Sequence, residues 1–147
     1  MGAKVDLERL LKEGKAVQTP IQGYSMYPML VPGRDEAVIA PLEGRPRRGD
    51  VVLYRRDGGI LVLHRIWKVK KDGLYMVGDN QTQVEGPLRE DQLRGRLVAF
   101  VRKGRTHSVR SILYRIWSSA WLRLRPIRHR LAVALHSLKM AAKGREG

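Results

Sequence analysis

The chain has 147 residues, 43% of them hydrophobic, which suits one domain with a real core and leaves little room for two. It has no cysteine, so disulfides, thiolate metal sites and a cysteine nucleophile are excluded, and its four histidines (His64, His107, His129, His136) lack the spacing of a zinc site. The net charge is +15, and residues 105–147 hold ten Lys/Arg against one acidic residue, Glu146, a balance that suits an anionic partner and says nothing of fold.

In chain order, Val5 to Glu13 reads as a short helix, with apolar residues near helical spacing, Asp6 as cap and Gly14 as stop. Ala16 to Gln22 reads as extended and leads into a turn, Gly23-Tyr-Ser-Met-Tyr-Pro-Met-Leu30. Gly23 allows a backbone path that a side chain would block, and Pro28 fixes the chain beyond it. Such a turn can hold the Ser25 hydroxyl in one orientation. Glu36 to Ala40 reads as a strand, and Leu42 to Gly49 as a loop rich in breakers. Asp50 to Arg56 and Ile60 to Val69 flank Asp57-Gly58-Gly59, a strong hairpin signal. Leu74 to Val77 is a further strand, Thr82 to Asp91 a polar loop, and Leu93 to Arg102 a last strand. Short strands separated by turns predict a mainly β fold, a small antiparallel barrel or sandwich.

Lys103-Gly104-Arg105 reads as a boundary, because the apolar period changes beyond it. Val109, Ile112, Leu113, Ile116, Trp117, Ala120, Trp121 and Leu124 fit one helical stripe, with Arg110, Ser111, Arg115, Ser118 and Ser119 mostly opposite. Pro126 interrupts, and a second basic helix carries Ile127, Leu131, Ala134, Leu135 and Leu138 on one stripe. The expected organisation is an N-terminal helix over 1–15, a β domain over 16–104 and a basic amphipathic helical tail over 105–147. No secretory signal is visible, and no run approaches the roughly 18 apolar residues that span a bilayer. The expected location is therefore cytoplasmic, or peripheral on the cytoplasmic face of a membrane.

The chemistry centres on one hydroxyl and one imidazole. Alternation along the hairpin's return strand puts His64 on the face of Val62 and Ile66, with Leu63, Arg65 and Trp67 opposite. A serine is a poor nucleophile without a base, and an imidazole of ordinary pKa near 6.5 suits that task at neutral pH. An acid would then hold the imidazole tautomer, and Asp79 and Glu85 are the candidates.

These residues resemble a family. GYSMYPML is similar to the serine box of the signal peptidase I superfamily, G-x-S-M-x-P-x-L. RRGDVVLY, LVLHRI and GDN resemble the next boxes in the same order, and RGRLVAFV the closing strand, over roughly residues 16–103. The resemblance implies the signal peptidase/LexA-like catalytic β fold and a serine endopeptidase acting on a signal or precursor peptide without a cofactor or metal. It implies Ser25 as nucleophile, with its own backbone N–H as the oxyanion donor. His64 stands where the main bacterial branch has lysine, which is similar to the endoplasmic-reticulum and spore-former branch. Six residues beyond Asp79, where that branch has aspartate, this chain has Glu85. A second departure is the polar helix where the family usually has a transmembrane one. Gly23 occupies the place of a hydroxyl that some members add to the oxyanion hole.

The tail offers a substitute anchor, with Trp117, Trp121, Arg110 and Arg115 facing an anionic membrane surface. The alternative is that its stripe packs on the sheet or on a partner. Nucleic acid is disfavoured, since no recognised binding motif is present. Two rival functions stand beside the peptidase: a catalytically weak or inactive β domain that binds peptide along a strand edge, and a LexA-like self-cleaving regulator.

Overall fold

The computed structural model describes residues 6–145; Val5 and Glu146 lie outside them, as do the side chains of His129 and Leu131. The first helix, α1 (Leu7–Lys12), starts where Asp6 Oδ1 accepts from the Arg9 amide at 3.1 Å, and packs Leu11 into the core. Then follow β1 (Val17–Pro20), β2 (Asp35–Ala40), β3 (Val51–Arg55), β4 (Leu61–Lys70), β5 (Gly73–Val77), β6 (Glu85–Leu88), β7 (Leu93–Arg102) and β8 (Arg105–Ser108). Two helices close the chain, α2 (Ile112–Arg123) and α3 (Arg125–Arg145).

Every pairing is antiparallel, in the order β1-β2-β7-β3-β4-β5-β6, with β8 added beside β7. The expected mainly β character holds. The sheet, however, is open: β1 and β6 end it and do not pair with each other. Each face instead buries its own core. On one, Leu11, Met26, Met29, Leu30, Ile39, Val51, Leu53 and Leu97 pack together. On the other lie Val52, Tyr54, Ile66, Leu74, Met76 and Leu88. Strand β3 serves both, because successive side chains point to opposite faces. Its unbroken run Val51-Val-Leu-Tyr54 is buried throughout for that reason.

Three segments depart from the sequence expectation. The polar loop over 82–91 contains β6, whose ladder with β5 pairs Leu74 with Leu88 and Met76 with Glu85. Gly86 and Pro87 hid it, and an edge strand tolerates both because one side of its ladder needs no donors. The boundary at 103–105 is a two-residue hairpin turn: Lys103 (φ 52°) and Gly104 (φ 73°) are both left-handed and turn β7 into β8. The β fold therefore runs past residue 104. Finally, α2 begins at Ile112 rather than Val109, capped by Ser111 Oγ accepting from the Tyr114 amide at 3.2 Å.

The face that α2 buries matches the expected stripe only in part. Ile112, Leu113 and Ile116 are 75%, 83% and 62% exposed, while Ser118, Trp121 and Leu122 are buried. Ser118, expected to face solvent, is inside because it answers a buried cation on β4. No helix among the described residues is long and apolar enough to cross a membrane.

Candidate active site

The serine turn is held from three directions. Inside it, the Tyr27 amide donates to Tyr24 O at 3.1 Å and the Leu30 amide to Met26 O at 3.0 Å. Met26, Met29 and Leu30 sink into the first core, while Tyr24 stays exposed. From the sheet side, Arg34 donates to Pro28 O and Met29 O, and Arg102 donates to Met29 O at 2.9 Å. Both guanidiniums are fixed by the buried carboxylate of Asp35. From the third side, the Asn80 amide donates to Ser25 O at 2.9 Å.

Ser25 is thereby pinned through its carbonyl to the Gly78-Asp79-Asn80 turn. Gly78 is required there: a Cβ on it would lie 2.6 Å from Ser25 O. The β4–β5 register pairs Arg65 with Val77. That last pair of the ladder is followed by Gly78 on one strand and preceded by His64 on the other. The serine turn therefore rests on the turn that leaves β5, the strand paired with β4. Among the described residues the Ser25 hydroxyl and amide each donate to no group, and no hydrogen bond joins Ser25 to His64.

His64 is 4% exposed, on the face of Val62 and Ile66 as alternation required. Its Nδ1 lies 3.1 Å from the Tyr54 hydroxyl, which donates to Glu85 Oε1 at 2.7 Å. Arg56 holds the same carboxylate in a fork, Nε to Oε2 and Nη2 to Oε1, both at 2.9 Å. A phenol has one proton, and a carboxylate can only accept. With that proton given to Glu85, Tyr54 can only accept from His64. The hydrogen of the neutral imidazole then sits on Nδ1, and Nε2 carries the free lone pair. That is the tautomer a general base needs.

The electrostatics agree. Burial pushes the His64 imidazole down to about 4, with Arg56 adding to the shift and Glu85 and Asp79 opposing it. Glu85 is half-buried, which alone would raise its pKa, but Arg56 and the Tyr54 hydroxyl hold it below the ordinary carboxylate value. Burial and the Glu85 carboxylate push the Tyr54 phenol up, so it keeps its proton. At neutral pH the set is an uncharged imidazole, a protonated phenol and an ionised carboxylate.

The two acids expected near His64 have thus taken different roles. Glu85 reaches the imidazole only through Tyr54. Asp79 faces the other way, in a fully buried fork with Arg65: Nε to Oδ1 at 2.8 Å and Nη2 to Oδ2 at 2.7 Å. The remaining Arg65 donors go to Met29 Sδ, Gly49 O, Tyr114 Oη and, at 2.6 Å, Ser118 Oγ. Burial alone would pull the Arg65 pKa down, but the Asp79 carboxylate beside it raises it. This one guanidinium ties the serine turn, the Asp79 turn and α2 together.

Of the four tail residues expected at a membrane, two are turned into the fold. Trp121 is buried, its indole N–H donating to Asp79 O at 2.9 Å, and half-buried Trp117 stacks on it at 5.4 Å. Arg110 and Arg115 are exposed. Lys68, Lys70 and Lys71 are exposed as well. No cluster of metal-ligating side chains occurs among the described residues.

Tyr54 and Arg65 were not singled out from the sequence. The signal for Tyr54 was present: once the hairpin pairs Val52 with His64, Tyr54 must share the His64 face. Nothing marked Arg65, since its acceptors come from segments up to 53 residues away. Comparison with family models, curated proteins and solved structures finds no match.

Proposed function

We propose that this chain is a serine endopeptidase of the signal peptidase I type, with the related LexA-like catalytic fold, acting on a signal or precursor peptide. The observation that carries the reading is the His64–Tyr54–Glu85 chain, which leaves Nε2 as the basic nitrogen on the strand paired with β5, whose following turn holds Ser25. In this mechanism Ser25 Oγ attacks the scissile carbonyl carbon while its proton passes to His64 Nε2. The Ser25 amide, which donates to no other described group, steadies the oxyanion. Collapse breaks the C–N bond, and Nε2 returns the proton to the leaving amine. Water then hydrolyses the Ser25 ester by the same route. Glu85, through Tyr54, offsets the positive charge that His64 gains.

The test is a serine-directed acylating probe at neutral pH. Labelling of Ser25 that is abolished by Ser25→Ala and by His64→Ala supports the peptidase. A second reading, a non-catalytic β domain that binds peptide at the β1 or β6 edge, is favoured by the absence of a Ser25–His64 hydrogen bond among the described residues. Retained peptide binding with an unlabelled Ser25 would establish it.

A further inference from the structure

We propose that the arginine-lined cleft between the 43–51 segment and α2 is a docking surface for an anionic lipid bilayer. The cleft has a volume of about 1240 Å³. Seven arginines line it against two acids, Glu43 and Asp50. Asp50 is already engaged, its Oδ2 accepting from the Arg47 amide at 2.8 Å and lying 3.5 Å from Arg96. Arg45, Arg47, Arg110, Arg115 and Arg123 form no ion pair with any described residue and are exposed. Five unneutralised guanidiniums around one cleft make a site for several phosphates rather than for a single carboxylate.

The apolar component decides which phosphates. Ile112 and Ile116 line the same cleft at 75% and 62% exposure, and Leu113 beside them is 83% exposed. Three large aliphatic side chains left in water next to a basic cleft mark an interaction surface. A single-stranded nucleic acid would call for aromatic platforms. Here the ring in the lining, Tyr114, is turned to Arg65, and Trp121 is buried. Guanidiniums beside aliphatic side chains match phospholipid headgroups over acyl chains. Helix α3 continues the composition, with Ile127, Leu135, Leu138 and Met140 exposed and Arg130 and Lys139 exposed among them. The inference stands whether or not Ser25 acts as a nucleophile.

The experiment is vesicle flotation of the full chain, with phosphatidylcholine alone and with phosphatidylcholine mixed with phosphatidylglycerol. Binding is expected only to the anionic vesicles and is expected to weaken as salt rises. Arg47→Gln, Arg110→Gln and Arg115→Gln should each weaken it about fivefold. Ile112→Ser with Ile116→Ser should abolish the binding that survives high salt. These side chains are exposed, so an unchanged unfolding midpoint accompanies the expected result. Equal binding to both vesicles would overturn the proposal, as would anionic binding untouched by the triple arginine variant. Tighter capture of a single-stranded oligonucleotide through the same arginines would also overturn it, in favour of nucleic acid.

Discussion

Among the described residues His64 meets no carboxylate directly; its Nδ1 lies 3.1 Å from the hydroxyl of Tyr54. The phenol is an adaptor that passes the orienting effect of Glu85 to the imidazole and fixes the tautomer. Tyr54→Phe removes only that oxygen. It leaves His64 Nδ1 and one Glu85 lone pair without the bond that joined them. Probe acylation at Ser25 is expected to fall about a hundredfold, the scale of a well-placed base. Stability should fall by about 1–3 kcal/mol, the cost of a buried polar group left unpaired. Nitrogen chemical shifts of His64 should show a mixture of tautomers in the variant and one in the parent. A single unchanged tautomer in Tyr54→Phe would remove the adaptor role.

The depressed pKa of His64 gives two pH predictions with worked signs. In the proposed mechanism neutral imidazole is the active form, so the acid limb of the acylation rate should fall near pH 4 rather than 6.5. Glu85→Gln, which removes a charge that favours imidazolium, should move that limb lower still, and Arg56→Gln should move it higher. For stability, the unfolded chain titrates at 6.5 and the folded one at about 4. Between those values the unfolded state binds more protons, so stability is present above 6.5 and is lost as pH falls towards 4, roughly 3 kcal/mol in all. Glu8, held at about 2 by hydrogen bonding and charge from Arg55 and Arg94, contributes stability that is fully present above its ordinary 4.5 and is lost only as pH falls from there towards 2. Urea midpoints at pH 7 and pH 4.5 should therefore differ in the parent and much less in His64→Gln.

The elements that were legible in the sequence are those whose signal is local. Asp57-Gly58-Gly59 between two β-rich runs marked the hairpin of β3 and β4, and the hairpin register put His64 beside Val52. Asp6 and Gly14 marked the limits of α1. What stayed hidden depends on distant partners. Strand β6 exists because Leu88 reaches Leu74 across the sheet, although its own Gly86-Pro87 reads as a breaker. The rotation of α2 is set by Arg65, a charge that burial must answer with acceptors. Tyr114 and Ser118 supply them, so Ser118 turns inward beside Trp121 and Leu122 while Ile112, Leu113 and Ile116 turn outward. Hydrophobic periodicity has no way to register that exchange.

The Arg65–Asp79 pair makes a prediction independent of catalysis. Both side chains are fully buried, and the guanidinium also holds Met29 and α2. Asp79→Asn leaves a buried cation without its counter-charge, and unfolding should become easier by about 3–5 kcal/mol. Adding Arg65→Met to Asp79→Asn should recover part of that loss, because the uncompensated charge goes with it. Limited proteolysis should cut within α2 in the single variant before it cuts the sheet. A loss below about 1 kcal/mol in urea titration would mean that the pair does not organise the fold.

Gly78 separates damage to the site from damage to the fold. Its backbone is not in the left-handed region, so alanine there is excluded by space alone: the new Cβ would sit 2.6 Å from Ser25 O and 2.7 Å from Gln81 Oε1. Backbone cannot rotate away as a flexible side chain can, so the serine turn must move. A displacement near 1 Å in a nucleophile costs about a hundredfold in rate, and the strain costs about 1–3 kcal/mol of stability. Gly58, in the β3–β4 turn, is the matched control. Its φ of 61° disfavours a side chain, but nothing lies within 4 Å of the added carbon. Gly58→Ala should therefore lose about 1–2 kcal/mol with acylation intact. If both variants lower stability and acylation in step, Ser25 is not positioned through Gly78; a drop in acylation confined to Gly78→Ala places the nucleophile's alignment in that one close approach.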